Sequence, residues 1–116
     1  MEDMSASSET ILEGLDDAQM SAVTALDGPV RIIAGAGAGK TRTVTRRIAY
    51  ACARGDWDAR KVLAVTFSVK AAAEMRHRAD ALLRRGSRGL WIGTFHGLAH
   101  RLLRLHWQDA KLPEGF

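Results

Sequence analysis

Short apolar runs alternate along this chain with stretches of helical period, and the alternation predicts its elements. Pro29-Val30-Arg31-Ile32-Ile33 is brief and β-branched, as a buried parallel strand should be. Lys40 to Ala53 then places Val44, Ile48 and Cys52 at i, i+4 and reads as a helix. A second strand is predicted over Val62 to Thr66, followed by a helix from about Val69 to Arg85 with Ala72, Met75, Ala79 and Leu82 on one face. Gly86-Ser87-Arg88-Gly89 breaks that helix. A third strand, Leu90 to Thr94, leads into a helix from about His96 to Trp107, with Leu98, Leu102 and Leu105 repeating and Leu103 widening the stripe. Upstream, Ala18, Ala22, Val23 and Leu26 form the apolar side of a helix that starts near Asp16, where Asp16-Asp17-Ala18-Gln19 has the form of a capping box. Asp27-Gly28-Pro29 ends it, and the first ten or so residues are expected to be disordered. Strands alternating with helices imply βαβ units and a parallel sheet.

The first predicted strand and its helix are joined by Ala34-Gly35-Ala36-Gly37-Ala38-Gly39-Lys40-Thr41. Small residues at a strand-to-helix junction let consecutive backbone N–H groups converge on phosphate oxygens, and the helix N-terminus adds partial positive charge. Lys40 can then reach the β/γ-phosphates, and the Thr41 hydroxyl can ligate Mg²⁺. The Walker A pattern asks for Gly where this chain has Ala34, which is tolerable if the residue needs no positive φ.

At 116 residues the chain makes one domain at most. No apolar run approaches the roughly 20 residues needed to span a bilayer, and the serine-rich acidic start resembles neither a signal nor a transit peptide. The single cysteine, Cys52, excludes an internal disulfide and suits a reducing cytoplasm; its place on an apolar helix face reads as core. Charge is strongly segregated. Residues 1–30 hold seven acids and no Lys or Arg, whereas residues 31–116 hold all 17 basic residues and six acids, a net charge of +11. That balance suits a polyanion such as nucleotide or nucleic acid.

Both later strands end in similar chemistry, Thr66-Phe67-Ser68 and Thr94-Phe95-His96. In open α/β sheets ligands bind beyond the carboxyl ends of strands. An exposed aromatic there offers a stacking face to an unpaired base, with hydroxyls and basic groups beside it for the sugar-phosphate backbone. Taken alone, each tripeptide reads equally well as a turn with a core phenylalanine.

Three stretches carry a resemblance: Ala34 to Thr41, Thr66-Phe67-Ser68-Val69-Lys70-Ala71-Ala72-Ala73-Glu74-Met75-Arg76, and Trp91-Ile92-Gly93-Thr94-Phe95-His96-Gly97-Leu98-Ala99-His100-Arg101-Leu102-Leu103-Arg104. In this order they are similar to the opening motifs of the UvrD/Rep family of superfamily 1 DNA helicases, over roughly Ile11 to Phe116. The resemblance implies an α/β P-loop NTPase fold of RecA-like type: an incomplete three-layer parallel sheet of about three strands and four helices. Residues 14–116 would form the N-terminal part of the ATP-binding domain (1A), behind a flexible acidic segment, 1–13. It implies ATP and Mg²⁺ as cofactors, held by Gln19 at the adenine edge, by Ala34, Gly35, Ala36, Gly37, Ala38, Gly39, Lys40 and Thr41, and by Arg42 near the base. Lys40 takes the catalytic role, and Thr41 holds Mg²⁺. Thr66, Phe67, Lys70, Thr94, Phe95 and His96 are implied to contact single-stranded DNA. A duplex junction and other DNA repair proteins are implied as further partners, in the cytoplasm. One departure is Val69, where the family usually has Asn.

Hydrolysis by in-line phosphoryl transfer also needs an acidic pair to hold Mg²⁺ and orient water, and arginines to neutralise transition-state charge. The family draws these from a D-E-x-Q motif and later segments that lie beyond the point matching Phe116. The expectation is therefore an N-terminal segment of an ATP-dependent 3′ to 5′ helicase that binds nucleotide weakly and does not hydrolyse it alone. In the family the strand bearing the acidic pair lies between the first two strands predicted here, which would leave their edges exposed. A freestanding nucleotide- or DNA-binding module and a non-functional remnant are the alternatives.

Overall fold

The structure, a computed structural model, describes residues 9–33, 39–83 and 89–115. Helix α1 spans Asp17–Thr24 and is held at its start by a complete capping box: the Asp16 carboxylate accepts from the Gln19 N–H at 2.8 Å, and the Gln19 side-chain oxygen accepts from the Asp16 N–H at 3.0 Å. Helix α2, Lys40–Arg54, stops where Gly55 turns left-handed at φ 82° and donates back to Ala51 and Cys52. A 3₁₀ turn, Ala59–Lys61, capped by Asp58, precedes strand β1, Leu63–Thr66. Helix α3, Val69–Leu82, starts on the Ser68 hydroxyl, strand β2 is Trp91–Thr94, and helix α4 is Phe95–Leu105.

The two strands pair in parallel, with Leu63 opposite Trp91 and Thr66 opposite Thr94. Both therefore end at the same level, and whatever follows each strand is brought side by side.

Helix α2 is the centre of the packing. One side of it, through Ile48, joins Ala64, Met75, Ala79, Leu90 and Ile92 in the core between helices and sheet, with Val44 and Cys52 packed against them. Another side, through Ala49, Tyr50 and Ala53, closes on Ile11 and Val23. The Val44–Ile48–Cys52 stripe is thus where it was expected, but Ala49, Ala51 and Thr45 are as deeply buried. Burial pushes the Cys52 thiol up from its ordinary range, with the Asp58 charge adding to the effect, which agrees with a packing role.

Four expectations are corrected. Pro29–Ile33 form no strand: these residues pair with nothing in the sheet, and Ile33 is 82% exposed. A strand is held by its ladder, and the only ladder among the described residues joins β1 to β2, so the sheet has two strands rather than three. Residues 9–12, expected within a flexible tail, are helical, and Ile11 is 1% exposed because α1 and α2 offer it an apolar seat. In α4 only Leu98 is buried; Leu102, Leu103 and Leu105 face solvent, since no described element covers them. The last turn predicted for α3, Arg84 and Arg85, lies outside the described residues, as do residues 1–8. No helix among the described residues is long and apolar enough to cross a membrane.

Candidate nucleotide corner and strand-end face

The first group of predicted site residues gathers at the start of α2. Gly39 is left-handed at φ 76°, a conformation that favours glycine, and it precedes Lys40 without any side-chain cap. The N–H groups of the first helical turn point out of the helix with no intrahelical acceptor; the first to find one is that of Thr43, which donates to Gly39 at 2.9 Å. Such an open N-terminus on a helix of 15 residues is chemically fitted to an anion. Lys40 is exposed there and Thr41 is half-buried. Ala34, Gly35, Ala36, Gly37 and Ala38 lie outside the described residues.

Gln19 reaches the same corner from α1. Its side-chain oxygen closes the capping box, while its Nε2 lies 3.3 Å from where a Cβ on Gly39 would stand. The capping role and the place beside Gly39 are therefore filled by opposite ends of one amide.

Arg42 completes the corner by donating from Nη2 to the Gly14 carbonyl at 3.0 Å. Gly14 is itself left-handed at φ 77°, and a Cβ on it would lie 2.7 Å from Arg42 Nη2. Sequence reasoning missed this contact, because nothing local to Leu12-Glu13-Gly14 marks a glycine as the seat of an arginine 28 residues away. One turn further along α2, Arg46 donates from Nη1 to Ile11 and Glu13. Its guanidinium is shifted down, first by burial and then by the neighbouring charge of Arg42, with Glu13 acting in the opposite direction and Arg78 adding to the fall.

The second group assembles where the strands end. Phe67 follows β1 and is 94% exposed; Phe95 opens α4 after β2 and is 58% exposed. Their ring centroids are 5.6 Å apart with planes tilted by 46°. Both phenylalanines thus lie on the surface as a pair, not in the core. Val69, 78% exposed, lies two residues beyond Phe67, and Lys70 and His96 are exposed as well.

The threonines at this edge are engaged internally. Thr66 Oγ1 donates to the Ser68 carbonyl at 3.0 Å, and Thr94 Oγ1 accepts from the Gly97 N–H at 3.1 Å as the cap of α4. Both hydroxyls set the turn that presents each phenylalanine. Beneath it, Gly93 lets Leu98 approach so closely that a Cβ there would lie 3.1 Å from Leu98 Cγ. Another contact that sequence reasoning missed, Arg101 over the Trp91 ring at 4.0 Å, ties α4 to the start of β2.

The two groups remain separate clusters: Gln19, Gly39, Lys40, Thr41 and Arg42 around one helix start, and Thr66, Phe67, Lys70, Thr94, Phe95 and His96 around the strand ends.

Residues 15–116 match the family described as the UvrD/REP helicase N-terminal domain. Among characterised proteins, the chain is 49% identical over 106 residues to DNA helicase II of Escherichia coli, an alignment covering 91% of this chain and 15% of that protein. It is 50% identical over 118 residues to the ATP-dependent DNA helicase UvrD2 of Mycobacterium tuberculosis H37Rv, with 97% and 17% covered. To the ATP-dependent DNA helicase PcrA of Bacillus subtilis it is 45% identical over 97 residues, with 84% and 13% covered. The chain therefore spans a small share of the length of these curated relatives. With a match that runs through α1, both strands and α4, this chain belongs to the UvrD/REP helicase family as a stretch of its N-terminal domain.

Proposed function

We propose that this chain is the ATP-binding and single-stranded-DNA-contacting segment of an ATP-dependent 3′ to 5′ DNA helicase of UvrD type. It works in the cytoplasm on DNA under repair or replication, as part of a RecA-like P-loop domain. The observation that carries the reading is the exposed Phe67–Phe95 pair. Leaving two aromatic rings in water has no packing benefit, whereas a paired aromatic surface on a basic chain suits the faces of unpaired bases. Lys70 and His96 would meet the backbone beside it.

The nucleotide half of the reading rests on the loop sequence and on the open start of α2. In it the α2 N–H groups and Lys40 hold phosphate oxygens, Gln19 and Arg42 border the base, and Thr41 ligates Mg²⁺. Among the described residues no cluster of three or more His, Cys, Asp or Glu could hold a metal ion, and Thr41 is the residue of this chain that would ligate Mg²⁺ beside the phosphates. When bound, Mg²⁺ would neutralise phosphate charge. Turnover and unwinding would draw on the rest of a longer helicase.

Titrating the chain with a fluorescent ATP analogue and Mg²⁺, beside Lys40→Ala and with phosphate release followed, tests the nucleotide half. Saturable, Lys40-dependent binding without phosphate release is expected, and binding indifferent to Lys40 would sink it. For the DNA half, Phe67→Ala should weaken binding to an oligo-dT strand; an unchanged affinity would return Phe67 to a surface accident.

A further inference from the structure

Beside the nucleotide corner, α2 and α3 leave between them an open cleft of about 230 Å³, lined by Arg42, Thr45, Arg46, Arg78, Ala81 and Leu82. Three of these side chains are guanidinium groups and none is an acid. Arg42 and Arg46, four apart, share one face of α2, and Arg78 comes from the opposing helix α3. Gathering three like charges costs stability; the Arg46 guanidinium is shifted down first by burial and then by the charge of Arg42, with Arg78 adding last. Glu13 is the one carboxylate that Arg46 feels.

Two of the three arginines are also held in place. Arg42 is fixed on the Gly14 carbonyl, and Arg46 on those of Ile11 and Glu13. A carbonyl orients a guanidinium without neutralising it. Each arginine carries five N–H donors, so these bonds leave donors of both groups for a ligand. Thr45 takes no part, since its hydroxyl already donates to the Thr41 carbonyl at 2.7 Å. Ala81 and Leu82 complete the lining with apolar surface.

We propose that this cleft is an anion-binding site for a phosphate group, with Arg42, Arg46 and Arg78 as its donors. Arginines from two helices line the one cleft, and planar guanidinium groups can donate to the tetrahedral oxygens of a phosphate in charge-assisted bonds. The site is separate from the start of α2, sharing only Arg42 with it, and it does not depend on the nucleotide reading. The phosphate comes either from a free anion or from a nucleic-acid backbone.

Isothermal titration of the chain with sodium pyrophosphate tests the site, with Arg78→Gln as the decisive variant because Arg78 is exposed on α3. Saturable binding is expected that persists in Lys40→Ala, which removes the phosphate hold at the start of α2, and in that parent background it weakens about 10- to 100-fold with Arg78→Gln and is partly restored with Arg78→Lys. Arg104→Gln, an exposed arginine on α4, should leave it unchanged. Competition by an oligo-dT strand with the same Arg78 dependence would assign the phosphate to a nucleic-acid backbone; its absence would assign it to a free anion. The proposal is overturned if Arg78→Gln binds as the parent does, if Lys40→Ala abolishes binding, or if Arg104→Gln weakens it as much as Arg78→Gln. Thermal unfolding of each variant by circular dichroism separates lost binding from lost fold.

Discussion

Helix α2 begins differently from helices α1, α3 and α4. Those three open on a side chain that closes the first turn: Asp16, Ser68 and Thr94 each accept from a backbone N–H inside their helix. At α2 the cap position is Gly39, left-handed and without a side chain to offer. Glycine at the cap is weaker than those side chains by only about a few tenths of a kcal/mol, so α2 gives up little of the stability its neighbours keep. Its first N–H groups have no acceptor within the helix, the arrangement a phosphate would use. A capped helix start is a structural joint, and under the proposed function the start of α2 is a docking point. At the strand ends the same contrast recurs in another form: the threonine hydroxyls are spent on geometry while the phenylalanines beside them are left exposed.

The strongest way to break the comparison is to remove the joint beneath α4. Leu98→Ala, at a site 6% exposed and packed on Gly93, should cost about 2–5 kcal/mol in chemical denaturation and disorder the Thr94–His96 turn. Lys40→Ala should do the reverse, leaving the unfolding midpoint unchanged while lowering affinity for an ATP analogue on the order of 100-fold. An equal loss of stability would mean that α2 starts on a structural joint after all. Phe67→Ala should likewise spare stability, because the ring is 94% exposed, and weaken oligo-dT binding by about 1–3 kcal/mol in fluorescence anisotropy. Thr94→Ala and Ser68→Ala should each lower stability by about 1 kcal/mol, with DNA affinity following only as far as the turns loosen.

The smallest effect belongs to Asp58, whose exposed carboxyl caps the 3₁₀ turn. It is held below its usual range by the side-chain hydrogen bond from Arg60, then by the Arg60 backbone N–H. A depressed folded-state value means that this contribution is present above the ordinary carboxylate range and fades as pH falls through the depressed value. Asp58→Asn should therefore flatten slightly the acid side of a plot of melting temperature against pH.

Much of this arrangement was legible in the order of residues. The capping box at Asp16 and Gln19, the glycine that ends α2, both parallel strands and the helices after them follow from local chemistry that neighbours along the chain already contain. The three resembling motifs extended that reading to a family. The errors lie where an element needs a partner from elsewhere. Pro29–Ile33 has the composition of a strand, but composition supplies no ladder. The leucines of α4 have the period of a buried face, and three of them meet solvent because period states which side is apolar and not what covers it. Ile11 is the converse case, placed in a tail by the polar residues around it and buried by α1 and α2.

The sequence by itself determined the two parallel strands, the helices that follow them, the start of α1 at its capping box and the extent of α2, since each depends on spacing within a few residues. Only the tertiary structure decided that Gln19 meets Gly39, that Arg42 rests on Gly14, that Phe67 and Phe95 stand together in solvent, and that three arginines line one cleft. The physical reason is range. Caps and periodicity act over one or two helical turns, whereas these meetings join residues far apart in sequence, and only the packing of α2 against its neighbours and the pairing of β1 with β2 bring them within reach.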